Sequence, residues 1–512
     1  ESENMLFLIL LPLAALAYAF WYYERQRHFW TDKGIPGPPA RFLWGNLNEI
    51  NKYDRPRMLV LRDWSKEYGK LYGIHDGQRK FLVVSDLAML EEMLTKKFDH
   101  FQARSKFVFQ SAKQGPKTHI IEAWGSHWKR LRALGSPAFS NNSLKRVLPT
   151  VQASAKQIIE LLERHGSAET VNIFDFYQEY TMDIICKLAL GQKNVQMFNN
   201  EYLKVAREAL SRPIDRFIFS APSLFPFLSS PLRKVFDLLA RIFKPPFFRL
   251  MDRLREDIRE RKKMRESGAM TSSNDFIDVF LDAEVKESEL VYEEDENRAS
   301  RSISRQLAFD EVVGQCFIFM IAGFDTTSIS LAYSTRLLAL YPEVQERLRE
   351  EIEAVCTDDE ITYDQLAQLK YADCMIKETL RHFPLASFAV NRECTKSTTL
   401  GGVQIDKGTF IYTDTWSMHM DAAVWGEDAK EFRPERWVDG SMTAPRVAFQ
   451  AFGEGPRMCL GMRLAYMEEK MALAMLLRRF VVEECEETKT PKLVGSFVVG
   501  PERLMVRLRK RE

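Results

Sequence analysis

The sequence predicts a mainly α protein with small β-sheets, preceded by one apolar helix at its N-terminus. Three observations carry this. Helical spacing dominates from Arg41 to about residue 390, strand character is confined to two stretches, and the chain opens with a long uncharged run.

That run, MLFLILLPLAALAYAFWYY from Met5 to Tyr23, has 19 residues and no charge. As a helix it reaches ~28 Å, close to the ~30 Å hydrocarbon core of a bilayer. Trp21, Tyr22 and Tyr23 fall where amphipathic rings gather at a membrane interface, and Arg25, Arg27 and Lys33 follow them. The positive-inside rule then puts the rest of the chain on the cytoplasmic side. A cleaved signal peptide is the alternative: Ala17-Tyr18-Ala19 offers a cleavage site, but no basic segment leads the run and its apolar character continues past that site. Residues 1–24 are therefore read as a membrane anchor, 25–40 as a hinge and 41–512 as the body. In the hinge, GIPGPPA (34–40), three prolines fix φ and make a short stiff connector.

In the body, WKRLRALG, VQASAKQIIELLERHG and PEVQERLREEIEAV have helical spacing, the last with Pro342 in its first turn. The longest helix is expected from about Asp310 to Tyr341, ending at Pro342. Strands are expected at KFLVVSD (80–86) and within 398–415, around the turn Asp406-Lys407-Gly408. Residues 283–306 are charged and read as a solvated loop. Residues 212–236 are rich in Phe and Pro without regular periodicity, and read as a greasy loop that is either buried or dipped into a bilayer surface.

Composition excludes several classes. A 46% hydrophobic share with 28% charged residues is ordinary for a globular protein. A net charge of +1 argues against a nucleic-acid partner. Seven cysteines, an odd number with no C-x-x-C pair, argue against a disulfide scaffold or a zinc site and suit reduced thiols.

Three constellations carry chemistry. In FGEGPRMCLG (452–461), Cys459 precedes a helix on which Leu464, Met467, Met471, Ala474 and Met475 share one face. A helix N-terminus favours thiolate, the glycines let backbone approach a flat group, and the Arg457 fork suits carboxylates. Together these describe a haem with its propionates, ligated by one cysteine. A lone cysteine is otherwise a buried apolar thiol. In the long helix, apolar residues surround Asp325, Thr326 and Thr327, so the helix is a buried one. Either Thr326 bonds back to the Ala322 carbonyl, or Gly323 lets the helix open while Asp325 and Thr326 hold water against a substrate. In KETLRHFP, Glu378 and Arg381 are helix neighbours, either a surface pair or, with Arg436 of EFRPERW, a buried network.

These stretches resemble the signatures of the haem-thiolate monooxygenases, the cytochrome P-450 family. FGEGPRMCLG resembles its cysteine loop, AGFDTT (322–327) its oxygen-activating helix, ETLR its Glu-x-x-Arg pair, PERW its Pro-Glu-Arg-aromatic element, and WKRLR (128–132) its Trp-x-x-x-Arg helix. The five occur in family order, and the anchor and hinge are similar to those of microsomal members, most like the broad-substrate animal branch. The resemblance implies the P-450 fold and haem b, with Cys459 as iron ligand. It implies Trp128, Arg132, Arg457, Arg392 and Arg104 around the propionates, with Phe452 and Gly461 beside the ring. Glu378, Arg381 and Arg436 would be structural, and Asp325 and Thr326 would deliver protons to dioxygen. Phe107, Phe109, Ala322, Phe324, Phe388, Phe497 and Val498 would line a pocket for a bulky apolar substrate such as a lipid, steroid or xenobiotic.

The resemblance further implies hydroxylation, epoxidation or dealkylation at an endoplasmic-reticulum membrane. Electrons would come from NADPH through a cytochrome P-450 reductase, with cytochrome b5 as a further partner. Lys129, Arg130, Arg463 and Lys470 are expected on the face that meets an acidic reductase. The competing functions are a haem-thiolate peroxide isomerase or dehydratase, which often lacks the acid-Thr pair, and a non-catalytic haem sensor or lipid carrier.

Overall fold

The computed structural model describes residues 2–52, 55–104, 115–165, 170–192, 196–210, 217–269, 276–285, 306–438, 444–495 and 497–511, with backbone alone for 2–9, 217–219 and 276. Helices make most of the body, as the spacing predicts. The strands, in chain order, are β1 (Leu71–Asp76), β2 (Arg79–Val84), β3 (Thr170–Asn172), β4 (Arg392–Glu393), β5 (Thr398–Leu400), β6 (Val403–Ile405), β7 (Phe410–Thr413), β8 (Phe480–Glu483), β9 (Leu493–Val494), β10 (Gly500–Pro501) and β11 (Met505–Lys510). They form a four-stranded sheet β1-β2-β7-β4, a three-stranded sheet β3-β11-β8, and the pairs β5-β6 and β9-β10. The expected strands are β2 and β5 to β7. The hairpin partner β1 and the C-terminal sheet lie outside the stretches that read as strand.

The central helix, Phe309–Leu340, is the axis of the core. Its apolar middle is long enough to cross a bilayer, but it is buried inside the protein. It stops before Pro342, which opens the next helix, Pro342–Val355. Helix Ile173–Leu190 is buried along nearly its whole length and lies against the central helix. The close approach requires glycine: a Cβ on Gly323 would lie 2.5 Å from Ile185 Cδ1. Gly323 thus serves packing, and the helix is unbroken through Asp325 and Thr326.

Helix Met462–Arg479 completes this core, with Leu464, Met467, Met471, Ala474 and Met475 all buried as their shared face predicts. At its start the chain carries the cysteine loop.

One region differs from expectation. The greasy segment is helical where described, as Phe217–Leu224 and the strongly amphipathic Ser229–Phe243. Its prolines hide the periodicity. The charged loop 283–306 lies largely outside the described residues, which include 283–285 and 306. The N-terminal helix runs Ser2–Arg27. The proline segment after it is fastened to β1: the Gly73 amide donates to the Pro36 carbonyl at 2.8 Å, and Trp30 Nε1 donates to the Ile74 carbonyl at 3.1 Å.

Candidate active site

The cysteine loop is a folded turn. The Gly453 amide donates to the Gln450 carbonyl at 3.0 Å, and the Cys459 amide donates to the Phe452 carbonyl at 2.9 Å. Gly453 and Gly455 both need positive φ, at 74° and 73°. They differ in what they make room for. A Cβ on Gly455 would sit 2.2 Å from the Leu94 carbonyl oxygen, so this glycine admits backbone rather than a flat ligand. Gly453 has open space beside it, and a Cβ on Gly461 would lie 3.7 Å from the Phe139 ring and 4.0 Å from Cys459 Sγ.

Of the seven cysteines, five are buried and Cys485 is half-buried; Cys459 alone is exposed. Protein encloses it nonetheless, and burial pushes its thiol up from the ordinary range. The Gly461 and Met462 amides and the Arg104 and Arg132 charges pull the other way. The expectation that the helix terminus favours thiolate is thus half met: the favouring groups are present, but desolvation outweighs them in the protein alone. A cation bound at the sulfur would reverse that balance.

Around this thiol stand four arginines. Arg392 and Arg457 are 1% and 3% exposed, and Arg104 and Arg132 are half-buried. Burial lowers each of them, Arg104 to about 10 and Arg392 and Arg457 well below the usual range; the neighbouring guanidinium charges lower Arg104, Arg392 and Arg457 further. Among the described residues none of the four has a carboxylate partner; Arg104, Arg392 and Arg457 donate to backbone carbonyls, and Arg132 lies over the Trp128 ring at 5.9 Å. Arg104 donates to Ala389 at 2.9 Å and Arg457 at 3.4 Å, and Arg392 to Asn391 at 2.9 Å. Arg457 also donates to the Ala123 carbonyl and lies over the Trp128 ring at 4.7 Å. The Nε atoms of Arg392 and Arg457 are buried without a partner among the described residues. Buried cations require anions. A haem fits: its two propionates would supply the charge and the exposed Cys459 thiol would hold its iron.

Glu378, Arg381 and Arg436 form the buried network rather than a surface pair. Arg381 grips Glu378 with two bonds, at 2.8 and 2.9 Å, and both residues are fully buried. Arg436 Nε reaches the same carboxylate at 3.4 Å, and Trp437 Nε1 donates to it at 2.8 Å. Burial would raise Glu378, but the Arg381 hydrogen bonds hold it well below the usual carboxylate range. Sequence alone did not single out His419, which accepts the Gln450 amide at 3.0 Å and contacts the Arg381 carbonyl at 3.1 Å. A solitary histidine between two methionines carries no spacing signal.

On the central helix, Thr326 Oγ1 donates to the Ala322 carbonyl at 2.7 Å. Burial raises Asp325 to about 7. Thr181, also unforeseen, donates to the Phe324 carbonyl at 2.9 Å. This helix reaches the cysteine loop through rings: Phe319 packs edge-on against Phe139 at 5.5 Å, and Phe139 borders Gly461.

The pocket residues are only partly assembled. Phe388 and Phe497 meet edge-on at 5.5 Å, and Ala322 and Val498 are half-buried. Phe324 is fully buried in the main core, so it belongs to packing and not to a pocket wall. Phe107 and Phe109 lie outside the described residues. Phe452 packs on Tyr466 at 5.4 Å. Of the four cations expected on a partner face, Lys129 and Arg463 are exposed. Arg130 and Lys470 are not. Arg130 is buried against Glu311, which His127 also contacts at 2.7 Å, and Lys470 pairs with Asp373 at 2.8 Å. Helical spacing could not show which neighbouring elements would cover them.

Comparison with known proteins agrees with this geometry. The sequence model of the cytochrome P450 family matches residues 35–508. Three Caenorhabditis elegans proteins named as cytochromes P450 are similar over their whole length. CYP13A3 is 42% identical over 516 residues, spanning 98% of this chain and 99% of the relative. CYP13A4 is 38% identical over 524 residues, spanning 100% and 99%, and CYP13A2 is 40% identical over 510, spanning 98% and 97%. The chain belongs to the cytochrome P450 family. It is an oxidoreductase, a haem-thiolate monooxygenase that uses dioxygen.

Proposed function

We propose that this chain is a membrane-anchored monooxygenase, fed with electrons from NADPH by a reductase and acting on bulky apolar substrates. The observation that carries the haem assignment is the set of four arginines, two buried and two half-buried, without carboxylate partners among the described residues, around the one exposed thiol. Cys459 is the iron ligand, and Trp128, Arg132, Arg457, Arg392 and Arg104 hold the propionates. When bound, the haem supplies the redox chemistry that activates dioxygen, and its thiolate ligand favours O–O cleavage.

The chain's own residues bind, orient and move protons. Burial raises Asp325 to about 7, the range in which a carboxyl can take up and give a proton near neutral pH. The Thr326 hydroxyl, half-buried and bonded to the Ala322 carbonyl, can exchange that bond for one to a bound water by side-chain rotation. Glu378, Arg381 and Arg436 hold the loop in place. The paired rings of Phe388 and Phe497, with Ala322 and Val498, offer an apolar wall that suits a bulky substrate.

Two apolar surfaces support the membrane reading, with residues 1–24 as anchor, 25–40 as hinge and 41–512 as the catalytic body at the endoplasmic reticulum. Leu11 and Leu16 of the N-terminal helix are 71% and 67% exposed. Phe227, Leu238, Ile242 and Phe243 present a second apolar face. The Tyr23 hydroxyl donates to the Leu224 carbonyl at 3.1 Å and ties the two together. Both faces suit immersion in the same bilayer surface.

Product formation coupled to NADPH use in the presence of reductase tests this reading. Thr326→Ala is expected to keep substrate binding while lowering product per NADPH several-fold; unchanged coupling would remove the hydroxyl from the proton path.

A further inference from the structure

The Glu378–Arg381–Arg436 network and the cysteine loop do not touch each other directly through Cys459. His419 stands between them. Arg381 holds this residue twice: its guanidinium Nη1 donates to the His419 carbonyl at 2.7 Å, and its own carbonyl lies 3.1 Å from His419 Nδ1. On the far side of the ring, the Gln450 amide points at Nε2 from 3.0 Å. That amide can only donate, so Nε2 must offer a lone pair and Nδ1 must carry the proton. The ring is fully buried, stacked on Phe449 at 5.5 Å and met edge-on by Trp425 at 6.2 Å. From Gln450 the path to the ligand is short. The Gln450 carbonyl accepts the Gly453 amide, and the Phe452 carbonyl accepts the Cys459 amide.

We propose that His419 is a positioning residue for the iron ligand, linking the buried Glu378–Arg381–Arg436 network to the Cys459 loop through an Nδ1–H donor and an Nε2 acceptor. The proposal rests on the reading of Cys459 as the haem ligand. Burial keeps the ring neutral, near a pKa of about 3, in keeping with this arrangement. An imidazolium would set N–H against N–H at Gln450. The Nε2 contact is the half that matters for the loop, because without it the Gln450 amide is a buried donor with nothing to bond.

Two substitutions separate the halves. His419→Asn places an amide nitrogen near the Nδ1 position, keeping the donor to Arg381 and abandoning the Gln450 amide. His419→Gln reaches the Nε2 position with an amide oxygen and restores the acceptor. The readout is the absorption spectrum of the reduced, carbon-monoxide-bound holoprotein under mild heating, timed for loss of the thiolate-ligated band, with thermal unfolding measured on the same samples. H419N is expected to lose the band roughly tenfold faster than wild type, the consequence of one unpaired buried amide. H419Q is expected to stay within about threefold of wild type, at a melting temperature similar to that of H419N, because each variant gives up one hydrogen bond. Equal loss in both variants, failure of both to retain haem, a stable band in H419N, or band loss that merely follows melting temperature would overturn the link. Absence of the thiolate band from the wild type would instead overturn the ligand assignment, and the proposal with it.

Discussion

Two clusters of buried arginine lie within the same fold and are built on opposite principles. Arg381 and Arg436 share the Glu378 carboxylate, and backbone carbonyls take most of their remaining donors. Arg104, Arg132, Arg392 and Arg457 face one another and a thiol, with no carboxylate among the described residues to balance them. The first cluster is complete and reads as structure. The second is costly for the protein alone and reads as one half of a site. Charge balance therefore separates scaffold from binding site more sharply than burial does, since both clusters are deep.

That contrast can be broken by experiment. The largest effect is expected from Glu378→Gln, which strands the fully buried Arg381 guanidinium and leaves Arg436 with Asp428 alone; stability measured by denaturant unfolding should fall by about 3–5 kcal/mol. Arg392→Met should behave in the opposite sense. Removing one uncompensated buried charge should leave apoprotein stability equal or higher, while haem binding followed by titration weakens about tenfold, near 1.4 kcal/mol. If Arg392→Met destabilised the apoprotein as Glu378→Gln does, the two clusters would not differ in kind.

A smaller effect is expected at Asp325. Burial raises its folded-state pKa to about 7, above the ordinary aspartate value of 3.8, so the native state binds more protons than the unfolded chain between those values. This contribution is fully present below about pH 4 and is lost as pH rises through 7. Asp325→Asn should flatten that part of the stability-pH curve by roughly 1 kcal/mol, since part of the side chain faces open space and is screened. Least of all, Lys129→Glu should change stability by under about 0.5 kcal/mol while making haem reduction by a reductase slower and less salt-sensitive. An unchanged salt dependence would remove Lys129 from the partner face.

What the sequence made legible follows the same division. FGEGPRMCLG announces its role because loop, glycines, arginine and cysteine are contiguous, and the pairing of Glu378 with Arg381 is fixed by helical spacing. Arg436 could be suspected of joining them. The properties that depend on tertiary cover were not legible. Arg130 and Lys470 look like solvated helix cations until Glu311 and Asp373 are folded against them. Gly455 looks like a clearance for a ligand until the Leu94 carbonyl arrives beside it. Phe324 sits among pocket-like residues in the sequence, but helix rotation turns it into the core. His419 and Thr181 act through single hydrogen bonds to distant backbone, which leave no pattern in the chain.

The central claim is that the unpaired arginine cluster and Cys459 together seat a thiolate-ligated haem. The absorption spectrum of the reduced, carbon-monoxide-bound holoprotein tests it most directly. A strongly red-shifted band, absent from Cys459→Ala, is the predicted result; a band at the position of nitrogen-ligated or thiol-ligated haem in the freshly purified wild type would contradict it.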